Sequence, residues 1–229
     1  MALLEVCCGS PESVASAVAG GARRIELCAH LELDGLTPPM EWVRDAKTRY
    51  PGVLVHVLIR PRAGDFVYAA EEADTMVLQI REALEAGADG LVIGALTPDG
   101  DVDMALLERL VSEIPPGLAS ITFHRAFDVC RKPFEALEQI IGLGCDRILT
   151  SGQESTVVEG VDMLRALRQR ACGRILILPG GGVTPDNAAY ILARTGCVEI
   201  HASASEMIDG KKITSAAKVA AILRAISAC

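Results

Sequence analysis

Short apolar runs rich in β-branched residues recur along the chain, and each is followed by a stretch with helical spacing of its apolar positions. The runs are LLEVC (3–7), RIEL (24–27), VLVHVLI (53–59), GLVIG (90–94), LASITF (118–123), RILT (147–150), RILIL (174–178) and VEIH (198–201). Several are introduced by similar turns, GGARR, GADG, GCDR, CGR and GCV. A glycine in such a turn ends the preceding helix in the left-handed conformation. The segments between read as helices. PESVASAVAGG has Ser10 as its cap and Pro11 in its first turn, and TPPMEWVRDAKTRY starts the same way, with Thr37 before two prolines. EEADTMVLQIREALEAG, DMALLERLVSEI, KPFEALEQIIGLG, TVVEGVDMLRALRQRA, TPDNAAYILARTG and TSAAKVAAILRAI complete the set. Eight strands and eight helices in strict alternation predict an α/β protein with a parallel sheet. Over 229 residues they fit one closed (β/α)8 TIM barrel, a single domain spanning 1–229. The alternative, an open doubly wound sheet, more often has a GxGxxG turn after its first strand, and CCGSPES lacks one.

Side chains on a strand alternate between faces. One assignment suits five strands together: the uniformly apolar face packs under the helices, and the other points into the barrel. It puts Glu5, Glu26, His56, Arg60, Thr122, His124, Glu199 and His201 inside. A barrel interior is normally filled by Val, Ile and Leu. Unpaired buried charges cost several kcal/mol in effective terms, so these groups must pair with one another or line a wet mouth.

The loops after the strands form the working rim of such a barrel. RPRAGDFVY brings Arg60, Arg62 and Asp65 there, and HRAFDVCRKP brings His124, Arg125 and Asp128. The expected pocket is lined by Glu26, Arg60, Arg62, His124, Asp128, Ser151, Gly181 and Ser203. Gly180, Gly181 and Gly182 precede a helix, and Ser203 ends the next strand, a common phosphate position in this fold. Arg60 and Arg62 suit a carboxylate or phosphate, and His124 with Asp128 or Glu26 suits acid/base work. An enzyme acting on a small anionic or phosphorylated metabolite is therefore one reading. The other readings of these groups are a tight glycine turn, and arginines paired with Asp65, Asp128 or Glu26. A hard divalent ion held by Glu5, Glu26, Glu199, His124 and His201 is a weaker idea. TPDGDVD resembles a calcium loop but lacks its twelfth-position acid.

Composition narrows the classes. Half the residues are apolar and the net charge is −8, with 22 Lys plus Arg against 30 Asp plus Glu. With no basic tract, a nucleic-acid or anionic-membrane partner is not expected. No apolar run approaches a bilayer span. MALLEVCCGSPESV has no basic start before its short apolar stretch, so it reads as a first strand rather than a signal peptide. A cytoplasmic location is the resulting expectation, and a homodimer or higher homo-oligomer the default assembly. The eight cysteines, at 7, 8, 28, 130, 145, 172, 197 and 229, are scattered and include no CxxC pair. A disulfide framework or zinc finger is not expected. Cys7 and Cys28 end neighbouring strands on one face, where their sulfurs can meet. Two close thiolates suit Cu(I), and two independent buried thiols or a redox-sensitive pair are the alternatives.

LEVCCGS, GGARRIELCAHLELDGLTP, VLIRPRAGDFVY, GADGLVIGALTPDGDVD, ITFHRAFDVC, GCDRILTSGQ and PGGGVTPDN, in this order, resemble the CutC copper-homeostasis family. The likeness runs from about Leu4 to Ser203. It implies a (β/α)8 barrel, a cytoplasmic location and a copper partner, with Cu(I) held by the cysteines ending strands one and two, here Cys7 and Cys28. Cys8 also occurs in bacterial members. Ala63 stands where the family usually has Gly, a change expected to stiffen that loop.

Overall fold

The structure, a computed structural model, describes residues 2–208 and 210–227; Cys229 lies outside the described residues. Eight parallel strands alternate with helices: β1 (Leu3–Cys8), α1 (Pro11–Ala19), β2 (Arg24–Leu27), α2 (Met40–Arg49), β3 (Leu54–Leu58), α3 (Ala70–Glu85), β4 (Gly90–Ile93), α4 (Met104–Ser112), β5 (Ser120–Phe123), α5 (Pro133–Gly142), β6 (Arg147–Thr150), α6 (Val161–Ala171), β7 (Leu176–Pro179), α7 (Ala188–Thr195) and β8 (Glu199–Ala202). The strand order is β7-β6-β5-β4-β3-β2-β1-β8, and β7 lies beside β8, so the sheet curls into a nearly closed barrel. An antiparallel hairpin, β9 (Ser205–Ile208) with β10 (Lys211–Thr214), then precedes α8 (Ala216–Ser227).

The outward strand face is the expected apolar one. Val6, Ile25, Val55, Ile93, Phe123 and Ile200 pack against Val14, Met76, Ile80, Leu107, Leu164 and Ile222 of the helix layer. Each such side chain, fully buried, contributes roughly 1.5–3 kcal/mol. Cys8 belongs to this outer layer, on the face opposite Cys7. The inward face carries the polar set: Glu5, Glu26, His56, Arg60, Thr122, His124, Glu199 and His201 are all buried.

Local signals held in part. Ser10 caps α1, accepting from Ser13 N at 3.2 Å. Thr37 caps nothing. Its hydroxyl accepts from Arg60 N at 2.8 Å and donates to Gln79, tying the β2 loop to β3 and α3. The helix expected from Thr156 begins only at Val161. Residues 151–160 fold back onto the end of β6, where Gly160 is so close that a side chain would strike Ser151 O. The β9–β10 hairpin was not anticipated, although Asp209-Gly210 between two short runs is a hairpin signal.

Candidate functional site

The barrel floor is an ion-pair network. Glu5, on β1, has Arg24 Nε at 2.7 Å, His56 Nδ1 at 3.1 Å and His201 Nδ1 at 2.9 Å. Arg24 also grips Glu199 through two N–H donors, at 2.9 and 2.6 Å. Arg147 donates to Glu199 at 3.2 Å and to Ser120 and Thr122. Burial alone would raise the Glu5 carboxyl. Its hydrogen bond with His201, the close His56 ring and the Arg24 charge outweigh that and hold it well below the usual carboxylate range. Glu5 and Glu199 thus already face basic side chains of the protein. With His124 placed elsewhere, the hard-ion grouping of Glu5, Glu26, Glu199, His124 and His201 does not assemble. Arg24 and Arg147, which complete the floor, were missing from the expected interior set. Each stands two residues before an inward position, Glu26 and Leu149, so alternation alone could have found them.

Above the floor opens a cleft of about 560 Å³ at the C-terminal ends of the strands. Cys7, Glu26, Arg60, His124, Asp128, Gly181, His201 and Ser203 line it, together with Phe66, Arg125 and Lys212. Arg60 is buried, with no carboxylate partner among the described residues. Its Nη1 donates to Leu33 O and Gly35 O and its Nη2 to Gly64 O, each at 2.9 Å, and it lies 5.1 Å from the Phe66 ring centroid. His124 is also buried; its Nδ1 accepts from Ala126 N at 3.1 Å, which puts the proton on Nε2. That Nε2 has no hydrogen-bond partner among the described residues. Burial and the Arg60 charge push the imidazole down to about 3, so it is neutral at physiological pH. Room for these rings comes from β4 and its exit. A side chain begun at Gly94 would sit 2.5 Å from the His124 ring, and one at Gly90 2.5 Å from His56.

Asp128 does not pair with His124. It accepts from Ser151 N at 2.9 and 3.1 Å, from Gln153 N at 3.3 Å and from Thr150 Oγ1, and it holds Arg125 Nε at 2.7 Å. Its carboxylate therefore shapes the β6–α6 loop. Arg62 does not line the cleft either. It donates to Glu72 at 2.5 Å and Asp65 at 2.8 Å, plus three backbone carbonyls, and so clasps its own loop. In that loop the left-handed residue is Gly64, not Ala63, so alanine at 63 meets no left-handed strain. Ser151 donates to Glu154 O and accepts from Arg125, outside the cleft lining. Of the cations read from the rim, Arg125 takes the place expected for Arg62. Its guanidinium is 3.5 Å from where a side chain on Gly181 would begin. Gly181 (φ 100°) and Gly182 (φ 87°) hold conformations suited to glycine, which leaves their loop bare beside it. Helix α7 starts later, at Ala188, so the glycine loop is not itself a helix N-terminus. The hairpin brings Lys212 to the same rim.

At the opposite wall the two sulfurs do meet: Cys7 Sγ and Cys28 Sγ are 3.7 Å apart. Cys28 is fully buried, packed with Leu58 and Val92, and its thiol donates to Cys8 O at 3.6 Å. Cys7 also donates to Glu26 Oε1 at 3.5 Å. Its hydrogen bond with Cys28, burial and the nearby Glu26 push the Cys7 thiol well up. Burial raises the Glu26 carboxyl. Burial opposes the His201 cation, but Cys7, Glu5 and Glu26 outweigh it and hold the imidazolium well above the usual range. One donor atom from each of Cys7, Glu26 and His201 lies within 4.8 Å of the others. Alternation placed Glu26 and His201 inside, and Cys7 lies two residues beyond the inward Glu5. It could not place His201 beside Cys7, because their strands meet only when the sheet closes.

Residues 2–206 match the sequence profile of the CutC family. A CutC family protein of Parabacteroides distasonis is 47% identical over 209 residues, 91% of this chain and 85% of that protein. One of Bacteroides fragilis is 50% identical over 206 residues, 90% of this chain and 81% of that protein. The crystal structure of CutC from Streptococcus agalactiae superposes with a TM-score of 0.84 at 33% identity, covering 89% of this chain and 99% of that one.

Proposed function

This chain belongs to the CutC family, and we propose that it is a cytoplasmic copper-homeostasis protein that binds Cu(I) between Cys7 and Cys28. The observation that carries this reading is the 3.7 Å separation of the two sulfurs on adjacent strand ends. Soft, low-coordinate Cu(I) favours paired thiolates, and a bound ion would replace the proton each thiol now carries. The surroundings fit such an ion: Leu58 and Val92 keep water from Cys28, while Cys7 faces the cleft through which copper would arrive. Among the described residues no helix is long and apolar enough to cross a membrane. Anaerobic Cu(I) titration against a competing chelator tests the reading. Affinity is expected to fall at least tenfold, about 1.4 kcal/mol, in Cys7→Ser and in Cys28→Ser. Unchanged affinity in the double variant would refute it.

A second reading is favoured by the other end of the cleft. Arg125, Lys212, Gly181, Gly182 and Ser203 gather where an anion would lie, in a cavity of a size suited to a small molecule. In this reading the chain is an enzyme acting on a small anionic or phosphorylated metabolite. Neutral His124 would present its Nε2–H, and Arg60 would supply a fixed positive charge. A metabolite screen with purified protein, with and without Cu(I), tests it; no anionic hit in either form would set it aside.

A further inference from the structure

Cys7 has two kinds of neighbour. On one side is Cys28, walled by apolar side chains and absent from the cleft lining. On the other are Glu26 and His201, which line the cleft with it. From this geometry we propose that Cys7 Sγ, a Glu26 carboxylate oxygen and His201 Nε2 form a three-donor site for a divalent ion of the zinc type. This site shares Cys7 with the two-thiol copper position but takes its other donors from the cleft side, and it has its fourth coordination place open to the cleft.

Four observations support it. First, zinc–sulfur and zinc–oxygen bonds of about 2.3 and 2.0 Å at the tetrahedral angle put the two donors about 3.5 Å apart. Cys7 Sγ and Glu26 Oε1 are 3.5 Å apart already. Second, Glu26 is 5% exposed, yet its Oε2 has no hydrogen-bond partner among the described residues. A buried carboxyl oxygen left so is costly unless a ligand satisfies it. Third, His201 gives Nδ1 to Glu5 at 2.9 Å, so Nε2 is the nitrogen left for the cluster, its proton being released to solvent as the ion binds. A histidine oriented by a carboxylate through its other nitrogen is the usual outer arrangement of a metal ligand. Fourth, one thiolate, one imidazole and one carboxylate make a borderline set that suits Zn(II), whereas Cu(I) prefers sulfur.

Three protein ligands with an open fourth place are the layout of a catalytic zinc rather than a structural one. The open place would accept water or an oxygen donor of a molecule in the cleft. Cys7 belongs to both sites, so Zn(II) and Cu(I) would compete for it.

Anaerobic titration of the full-length protein with Co(II), followed by Zn(II) displacement, tests the proposal. Expected are the visible bands of four-coordinate Co(II) and a thiolate-to-cobalt charge-transfer band, both erased by Zn(II). Cys28→Ser is expected to keep these bands. Cys7→Ser should lose the charge-transfer band, and Glu26→Gln should weaken Co(II) and Zn(II) binding about 10–100-fold, at least the effect of an outer-shell loss. His201→Gln should do the same; should it fail to fold, Glu26→Gln decides, because Glu26 stands outside the ion-pair network. Failure of the wild type to bind either ion, undiminished affinity in Glu26→Gln, or loss of the bands in Cys28→Ser would each overturn the site. Cu(I) titration of Cys28→Ser scores the copper reading separately, so either can fail alone.

Discussion

Arg24 and Glu199 meet through two parallel hydrogen bonds, 2.9 and 2.6 Å long, inside the barrel where neither side chain is more than a tenth exposed. They come from β2 and β8, on opposite sides of β1, and Glu5 of β1 completes the bridge. The pair therefore spans the strand on which both proposed metal positions depend.

Removing the carboxylate at the centre of this network should be severe. Glu5→Gln leaves the Arg24 charge and two imidazoles without their shared counter-charge. Breaking one side of a buried pair typically costs about 3–5 kcal/mol. Urea unfolding followed by circular dichroism is expected to show a loss of that order, with Glu5→Ala at least as damaging. A loss below about 1 kcal/mol would mean that the interior is wetter than it looks.

His124 sets an acid limb of stability. In the unfolded chain its imidazole takes up a proton near the ordinary value of about 6.5. Folded, burial and the Arg60 charge delay this to about 3. The folded-state value is depressed, so the contribution is fully present above about 6.5. It is lost as pH falls from there toward 3, by up to about 1.4 kcal/mol per pH unit. His124→Gln is expected to flatten the stability profile between pH 6 and 4; denaturant midpoints across that range measure it.

Gly94 should tolerate no side chain. A Cβ there would lie 2.5 Å from His124 Cε1 and Nδ1. The ring must then leave its bond with Ala126 N or strain the strand, and overpacking of this kind costs about 1–3 kcal/mol. Gly94→Ala is expected to lower the melting temperature and to release the His124 ring. A nuclear magnetic resonance titration would then find its pKa moved up toward the ordinary value. Unchanged titration would show that the ring stays put.

Two arginines should separate in function. Arg125 faces the glycine loop at the Lys212 end of the cleft, whereas Arg62 is bound to Glu72 and Asp65 outside it. If an anion sits there, Arg125→Ala should weaken inorganic phosphate binding about tenfold, the loss of a charge-assisted hydrogen bond. Arg62→Ala should leave that affinity alone. Isothermal calorimetry distinguishes them, and equal effects would move the anion site elsewhere.

Much of this was present in the order of residues. Strand periodicity of two, with helical spacing between, specified eight strand–helix units, because each element must bury one apolar face to be stable. The same alternation put Glu5, Glu26, His56, Arg60, His124 and His201 inside. It also put Cys7 and Cys28 side by side, since neighbouring parallel strands are only about 4.8 Å apart. What alternation cannot specify is partnership across the barrel. Whether Arg60 meets a carboxylate or three carbonyls, and whether Asp128 faces His124 or the β6–α6 loop, depends on loop paths fixed by backbone hydrogen bonding. His201 joins Cys7 only because closure sets β8 against β1, nearly two hundred residues away in sequence. The inward face follows from local pattern; the pairing of its charges was decided by tertiary structure, because buried charge settles wherever the closed barrel offers a counter-charge.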